Sequence, residues 1–186
     1  MMETTLPPRH PDLHGVLPLV GAVLVAALIV GWLLLGHDGS APAPKPVGPV
    51  LVAQARLTQF AASAGHPVYW AGPEQGMSYE LTRTPSGRVY VRYLPAHTAA
   101  GDARADFLTV GTYPDDHAYA DLEHAAKADD VFAARLDDGT LMVVSQKTPT
   151  NVYLALRNLP YQIEVFDPSG ETARELALTG EIGPIR

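Results

Sequence analysis

The stretch Met77–Leu94, MSYELTRTPSGRVYVRYL, decides how the chain folds. Apolar and polar residues alternate on both sides of Thr84-Pro85-Ser86-Gly87, the pattern of two strands joined by a tight turn. Proline suits position i+1 of a type I turn, and Gly87 suits the left-handed position of the bulge that follows. That three-residue loop pairs Thr84 with Arg88. Tyr79 then lies opposite Tyr93, Leu81 opposite Val91, and Arg83 opposite Val89. On the other side Glu80 lies opposite Arg92 and Thr82 opposite Tyr90. A two-residue loop would instead set Arg83 against Arg88, a like-charge pair that costs energy. The longer loop is therefore expected. It gives one core face and one wet face, on which Glu80 and Arg92 form an exposed cross-strand ion pair worth little.

Upstream, Ala53, Leu57, Phe60, Ala61 and Ala64 recur at helical spacing, and Gly65 and Pro67 supply a stop. This predicts a helix over Val50–Ala64. A short strand, Pro67–Ala71, follows and closes at Gly72-Pro73. Downstream, Pro95–Ala105 reads as a loop, Phe107–Tyr113 as a strand, and 116–127 as a helix with acidic residues at its start. Val131–Leu136 and Thr140–Gln146 flank Asp138-Gly139, a type I′ hairpin signal, and their apolar character suggests interior strands. Asn151–Leu156 and Tyr161–Asp167 form another antiparallel pair around Asn158-Leu159-Pro160. A helix over Gly170–Leu178 precedes a loose end. The expected class is α+β, an antiparallel sheet with two to three helices on one face. Two blocks, 50–94 and 116–146, each read helix, strand, hairpin and suggest a pseudo-repeat.

Ahead of this domain lies Val16–Leu35, VLPLVGAVLVAALIVGWLLL, which contains no charge. About 20 apolar residues suffice for a helix to cross a hydrocarbon core. Trp32 lies near one end, as suits an interfacial ring. We read residues 15–36 as a transmembrane helix, residues 1–14 as a short cytoplasmic tail, and residues 37–49 as a Pro/Ala-rich linker. The linker's SAPAPKPVGP favours polyproline II and reaches up to about 30 Å from the membrane. The alternative is a cleaved signal freeing a secreted domain. A signal core is shorter than this segment, and a cut after Ala41 or Ala43 would place proline next. Lipoprotein processing is excluded, because the chain has no cysteine. A short tail before the span and a domain behind it favour an extracytoplasmic domain anchored once in the cell envelope.

The chain carries 13 Lys+Arg against 20 Asp+Glu, a formal net charge of −7. An acidic chain repels phosphate, which argues against nucleic acid as a partner. No nucleophile elbow, phosphate loop or HExxH helix is present, and no cofactor motif. His66, Tyr69 and Trp70 in GHPVYWAGP, with Tyr90, Arg88 and Arg92, are the candidates for an aromatic ligand groove or partner surface, the alternative being core and rim packing of the sheet. Pro67–Ala71 reads as an edge strand on which a peptide could add. His117, Asp121 and His124 share one helix face at i, i+4 and i+7, a spacing that could hold zinc if another ligand joined. The leading expectation is a non-enzymatic binding or scaffolding module with the lipid bilayer and an envelope protein as partners. An envelope hydrolase or metal-dependent enzyme is the alternative.

The full chain is expected to fractionate with membranes and resist carbonate extraction. Val25→Arg, which costs about 2.5–3.5 kcal/mol on insertion scales, should shift it to the soluble fraction.

Overall fold

The computed structural model of the protein describes residues 47–186. The tail, the apolar segment and the linker up to Pro46 lie outside the described residues. Among the described residues no helix is long and apolar enough to cross a membrane.

In chain order the elements are β1 (Val47–Val52), α1 (Gln54–Ser63), β2 (Tyr69–Trp70), β3 (Met77–Arg83), β4 (Val89–Pro95), β5 (Thr109–Pro114) and α2 (Ala118–Ala125). Then follow β6 (Val131–Arg135), β7 (Leu141–Ser145), β8 (Asn151–Ala155), β9 (Tyr161–Phe166), α3 (Gly170–Leu178) and β10 (Gly183–Pro184). Eight strands form one antiparallel sheet in the order β1-β3-β4-β5-β9-β8-β7-β6. The α+β class is as expected.

The β3–β4 hairpin has the derived register, with Tyr79 opposite Tyr93, Glu80 opposite Arg92 and Arg83 opposite Val89. Thr84 N donates to Arg88 O at 2.9 Å, Gly87 N donates to Thr84 O at 3.0 Å, and Gly87 has φ 81°. The β6–β7 turn copies this geometry rather than type I′. Leu136 N donates to Thr140 O, Gly139 N donates to Leu136 O, and of the loop residues only Gly139 has positive φ.

Rows of paired residues run across the sheet. Leu81, Val91, Val110, Val165, Val152 and Val144 form one such row on what we term the front face. These side chains pack in one core with Leu57 of α1 and with Ala173 and Ala177 of α3. Burying a large aliphatic side chain such as Leu57 or Ile163 contributes about 1.5–3 kcal/mol. On the back face Ala118 and Leu122 of α2 pack on Leu141, Val143 and Ala155. The helices therefore cover both faces, not one. The suggested pseudo-repeat fails for the same reason, since α1 and α2 lie on opposite sides.

Three boundaries differ from expectation. Val50–Val52 belong to β1, which pairs with β3, and the helix begins only after Ala53, whose backbone is extended. β-branched residues beside a free sheet edge prefer the strand. β1 also takes Val47–Pro49 from the expected linker. The C-terminus is not loose: β10 pairs with β2, Ile185 N donates to Val68 O at 2.8 Å, and Ile185 is buried. Finally, β6 is an edge strand rather than an interior one.

The largest departure is on the back face at Glu80, expected to be wet and found only 2% exposed. The 96–108 loop folds over it. Arg92 Nη1 donates to Glu80 Oε1 at 2.7 Å, and Gly101 N donates to Glu80 Oε2 at 2.5 Å. Arg92 Nη2 donates to the carbonyls of Asp102 and Arg104, and Phe107 lies beneath both arginines. The polar side of a hairpin can be buried when a loop brings partners for its charges.

Glu80→Ala would leave the Arg92 charge without its partner, and is expected to cost about 3–5 kcal/mol in urea unfolding. Gly87→Val is expected to cost about 1–3 kcal/mol through left-handed strain. A Glu80→Ala cost of about 1 kcal/mol or less would show the pair to be wet.

Candidate functional site

On the back face, between the part covered by the 96–108 loop and the part covered by α2, polar residues replace the apolar pattern. Tyr90, Gly111, Glu164 and Tyr153 stand side by side on β4, β5, β9 and β8. Alternation along each strand sends their neighbours Val110, Ile163, Val165 and Leu154 to the front core and these residues to the back. Gly111 has a steric reason. A Cβ there would lie 2.7 Å from Cζ and 2.9 Å from Cε1 of Tyr113, so the absent side chain leaves room for the Tyr113 ring.

That ring brings its hydroxyl to Glu164. Tyr113 Oη donates to Oε2 of Glu164, while Asn151 Nδ2 donates to Oε1 at 2.5 Å and Tyr153 Oη to Oε1 at 3.2 Å. Thr150 Oγ1 donates to Asn151 Oδ1 at 3.0 Å. Glu164 is 8% exposed, and among the described residues no lysine or arginine pairs with it. Its burial is offset by three donors instead of a counter-charge. The Tyr90 ring lies 5.6 Å from Tyr113, and the Arg88 guanidinium stands 5.6 Å from the centre of the Tyr113 ring. Burial first, and then the charge of Glu164, push the Tyr113 and Tyr153 hydroxyls above the ordinary phenol range. The two phenols therefore act here as donors.

The sequence-derived candidates separate. Arg88 and Tyr90 belong to this strip, half-buried. Arg92 is on the same face but committed to Glu80 and the loop. Tyr69 and Trp70 are buried on the opposite side, where Trp70 meets Tyr79 edge-on at 5.6 Å and Tyr79 meets Tyr93 at 5.2 Å. Tyr93 Oη accepts from Ala71 N and donates to Gly72 O, both at 2.8 Å. Burial raises this phenol as well. The expected aromatic groove is thus a core stack. β2 offers no edge to a peptide, since β10 pairs with it and Tyr69 N donates to Thr112 Oγ1. His66 stacks near Tyr161, with ring centres 5.5 Å apart, and takes no part in the strip.

The expected metal face on α2 begins outside the helix. His117 is the residue that caps α2, with φ −110°, and its carbonyl accepts from Asp121 N at 2.9 Å. Among the described residues no group of three His, Asp or Glu side chains converges to hold a metal ion.

Glu164, Tyr113, Tyr153 and Asn151 were not among the candidates read from sequence. The available signals were a lone glutamate alternating with Ile163 and Val165, and a glycine in mid-strand at Gly111. Compared with known proteins, the chain matches no family model, no curated protein and no solved structure.

A tyrosine whose folded pKa lies above its unfolded value binds its proton more tightly when folded. Its contribution is complete below about pH 10 and is lost as the pH rises beyond that. Stability should therefore hold up to about pH 10 and fall above it, with the fall smaller in Tyr113→Phe; urea unfolding at stepped alkaline pH reads this directly.

Proposed function

We propose that the chain is a single-pass membrane-anchored binding module, holding its α+β domain outside the cytoplasm to engage an envelope protein. The anchor rests on the uncharged Val16–Leu35 segment, and the reach on the proline-rich residues that follow. The observation that carries the binding role is the back-face strip of Arg88, Tyr90, Tyr113 and Tyr153 around Glu164. Each carboxylate oxygen already accepts from a protein donor. A carboxylate so satisfied is poorly placed to take a proton from a substrate, and the network instead fixes the aromatic rings rigidly. Half-buried tyrosines beside an arginine form a surface of the composition that protein partners favour, with large rigid contact area and polar edges. The acidic balance of the chain makes nucleic acid a poor occupant.

A photo-crosslinking residue placed at Tyr90 in the full chain, in intact cells, should capture a defined adduct. The same residue at Leu178, an exposed position on α3, should not. Equal capture at both positions, or none at Tyr90, would remove this strip as the binding surface.

A further inference from the structure

The two edges of the eight-stranded sheet are finished differently. β1 contains Pro49, which has no N–H, and its register against β3 breaks between Val47 and Val50. Such irregularities blunt an edge against pairing. β6, sequence VFAAR, pairs with β7 over all five residues without a break. Its only charge is Arg135, and Phe132 is 50% exposed.

The hydrogen-bond pattern shows what this edge offers. Leu136 N donates to Thr140 O at 2.9 Å and Gln146 N donates to Asp130 O at 2.8 Å. Hydrogen-bonded pairs alternate along an antiparallel ladder, so residues 130, 132, 134 and 136 bond inward to β7. The C=O groups of Val131, Ala133 and Arg135 and the N–H groups of Ala133 and Arg135 therefore point out of the sheet, while Val131 N donates to Ala128 O at 3.2 Å. Among the described residues no strand pairs with them.

We propose that β6 pairs antiparallel with β6 of a second copy, about a two-fold axis at Phe132. This continues the sheet from one protomer into the other. Outward-pointing groups belong only to odd-numbered residues, so odd must face odd and the axis must fall on a residue. Centred on Phe132, Val131 C=O accepts from the N–H of the partner's Ala133, and Asp129 faces the partner's Arg135. Symmetry repeats each pairing. The two Phe132 rings meet at the axis as a non-hydrogen-bonded pair, the position where cross-strand side chains approach most closely. Other centres bring like charges together. An axis on Ala133 sets Asp129 against the partner's Asp137, and one on Ala134 sets Asp130 against the partner's Asp138. An axis on Val131 sets Lys127 against the partner's Arg135. Among these centres only Phe132 sets opposite charges face to face, Arg135 lying also 3.3 Å from Glu123 of its own copy, and the contact closes on itself as a two-fold interface must. One strand edge is small beside the roughly 1,200 Å² of a stable interface, so the dimer is weak and concentration-dependent. The inference is independent of the binding strip.

The chain has no native cysteine, so single-cysteine variants of the purified full chain test the contact by oxidative cross-linking. Phe132→Cys should link to its symmetry mate about tenfold faster than Leu178→Cys and faster than Ala133→Cys, because the axial pair alone meets disulfide geometry. Leu178 is 51% exposed, a matched control for Phe132. Adding Ala133→Pro to Phe132→Cys should slow linking about tenfold by removing an outward N–H from each copy. Its thermal melt should stay unchanged, because that N–H serves no bond within the monomer. Arg135→Glu should also slow linking, and Asp129→Arg added to it should restore the rate. Equal rates for Phe132→Cys and Leu178→Cys, or no response to either Ala133→Pro or Arg135→Glu, would overturn the dimer. Faster linking at Ala133→Cys would overturn the register.

Discussion

The pairing of β5 with β9 is the constraint on which the rest of the structure depends. It runs over six residue pairs, from Thr109 with Phe166 to Pro114 with Tyr161. Nothing in the local sequence enforces it, because a helix and three strands lie between the partners. On one side of this seam β5, β4, β3 and β1 lie in order, and on the other β9, β8, β7 and β6. Without the seam there are two separate four-stranded sheets. With it, the front rows become continuous, and α1 and α3 close over a single core. The loop-closure cost of joining distant segments is recovered only when these rows complete.

The same seam makes the back face polar at its centre. Gly111 and Glu164 are direct partners across it. The flat ring of Tyr113 above Gly111 and the donors from β8 can converge on Glu164 only because β5, β9 and β8 are adjacent. Two buried carboxylates on this face are treated in contrasting ways. Glu80 is matched by a guanidinium, whereas Glu164 is matched by neutral donors alone. Neutral donors satisfy a charge without adding a second ion to desolvate.

Local patterns were legible where the energetics are local. The β3–β4 register followed from turn chemistry and one repulsive arginine pair, and the body of α1 followed from its apolar spacing and glycine stop. The misreadings share a cause. Glu80 is polar and alternates correctly, yet a loop with no periodicity of its own buries it. The edge expected at Pro67–Ala71 is taken up by β10, two residues at the far end of the chain. Val50–Val52 continue an apolar helical stripe but gain more by pairing with β3. In each case the deciding partner is distant in sequence, and a single chain read alone shows composition and period but not pairing. The Glu164 cluster was missed for that reason, since its members come from three strands and look ordinary in each.

Arg92 has one further consequence, for the motions of the molecule. Its guanidinium holds the carbonyls of Asp102 and Arg104 while paired with Glu80, and Gly101 closes onto the same carboxylate. The loop therefore cannot fray residue by residue from its tip. Lifting it takes one donor from Glu80 and two acceptors from Arg92 and opens both charges to water, so residues 101–104 open together over the Glu80–Arg92 rung. An otherwise irregular segment is thereby tied at three points to the strands beneath it, and its local opening costs more than that of a loop held by its ends alone.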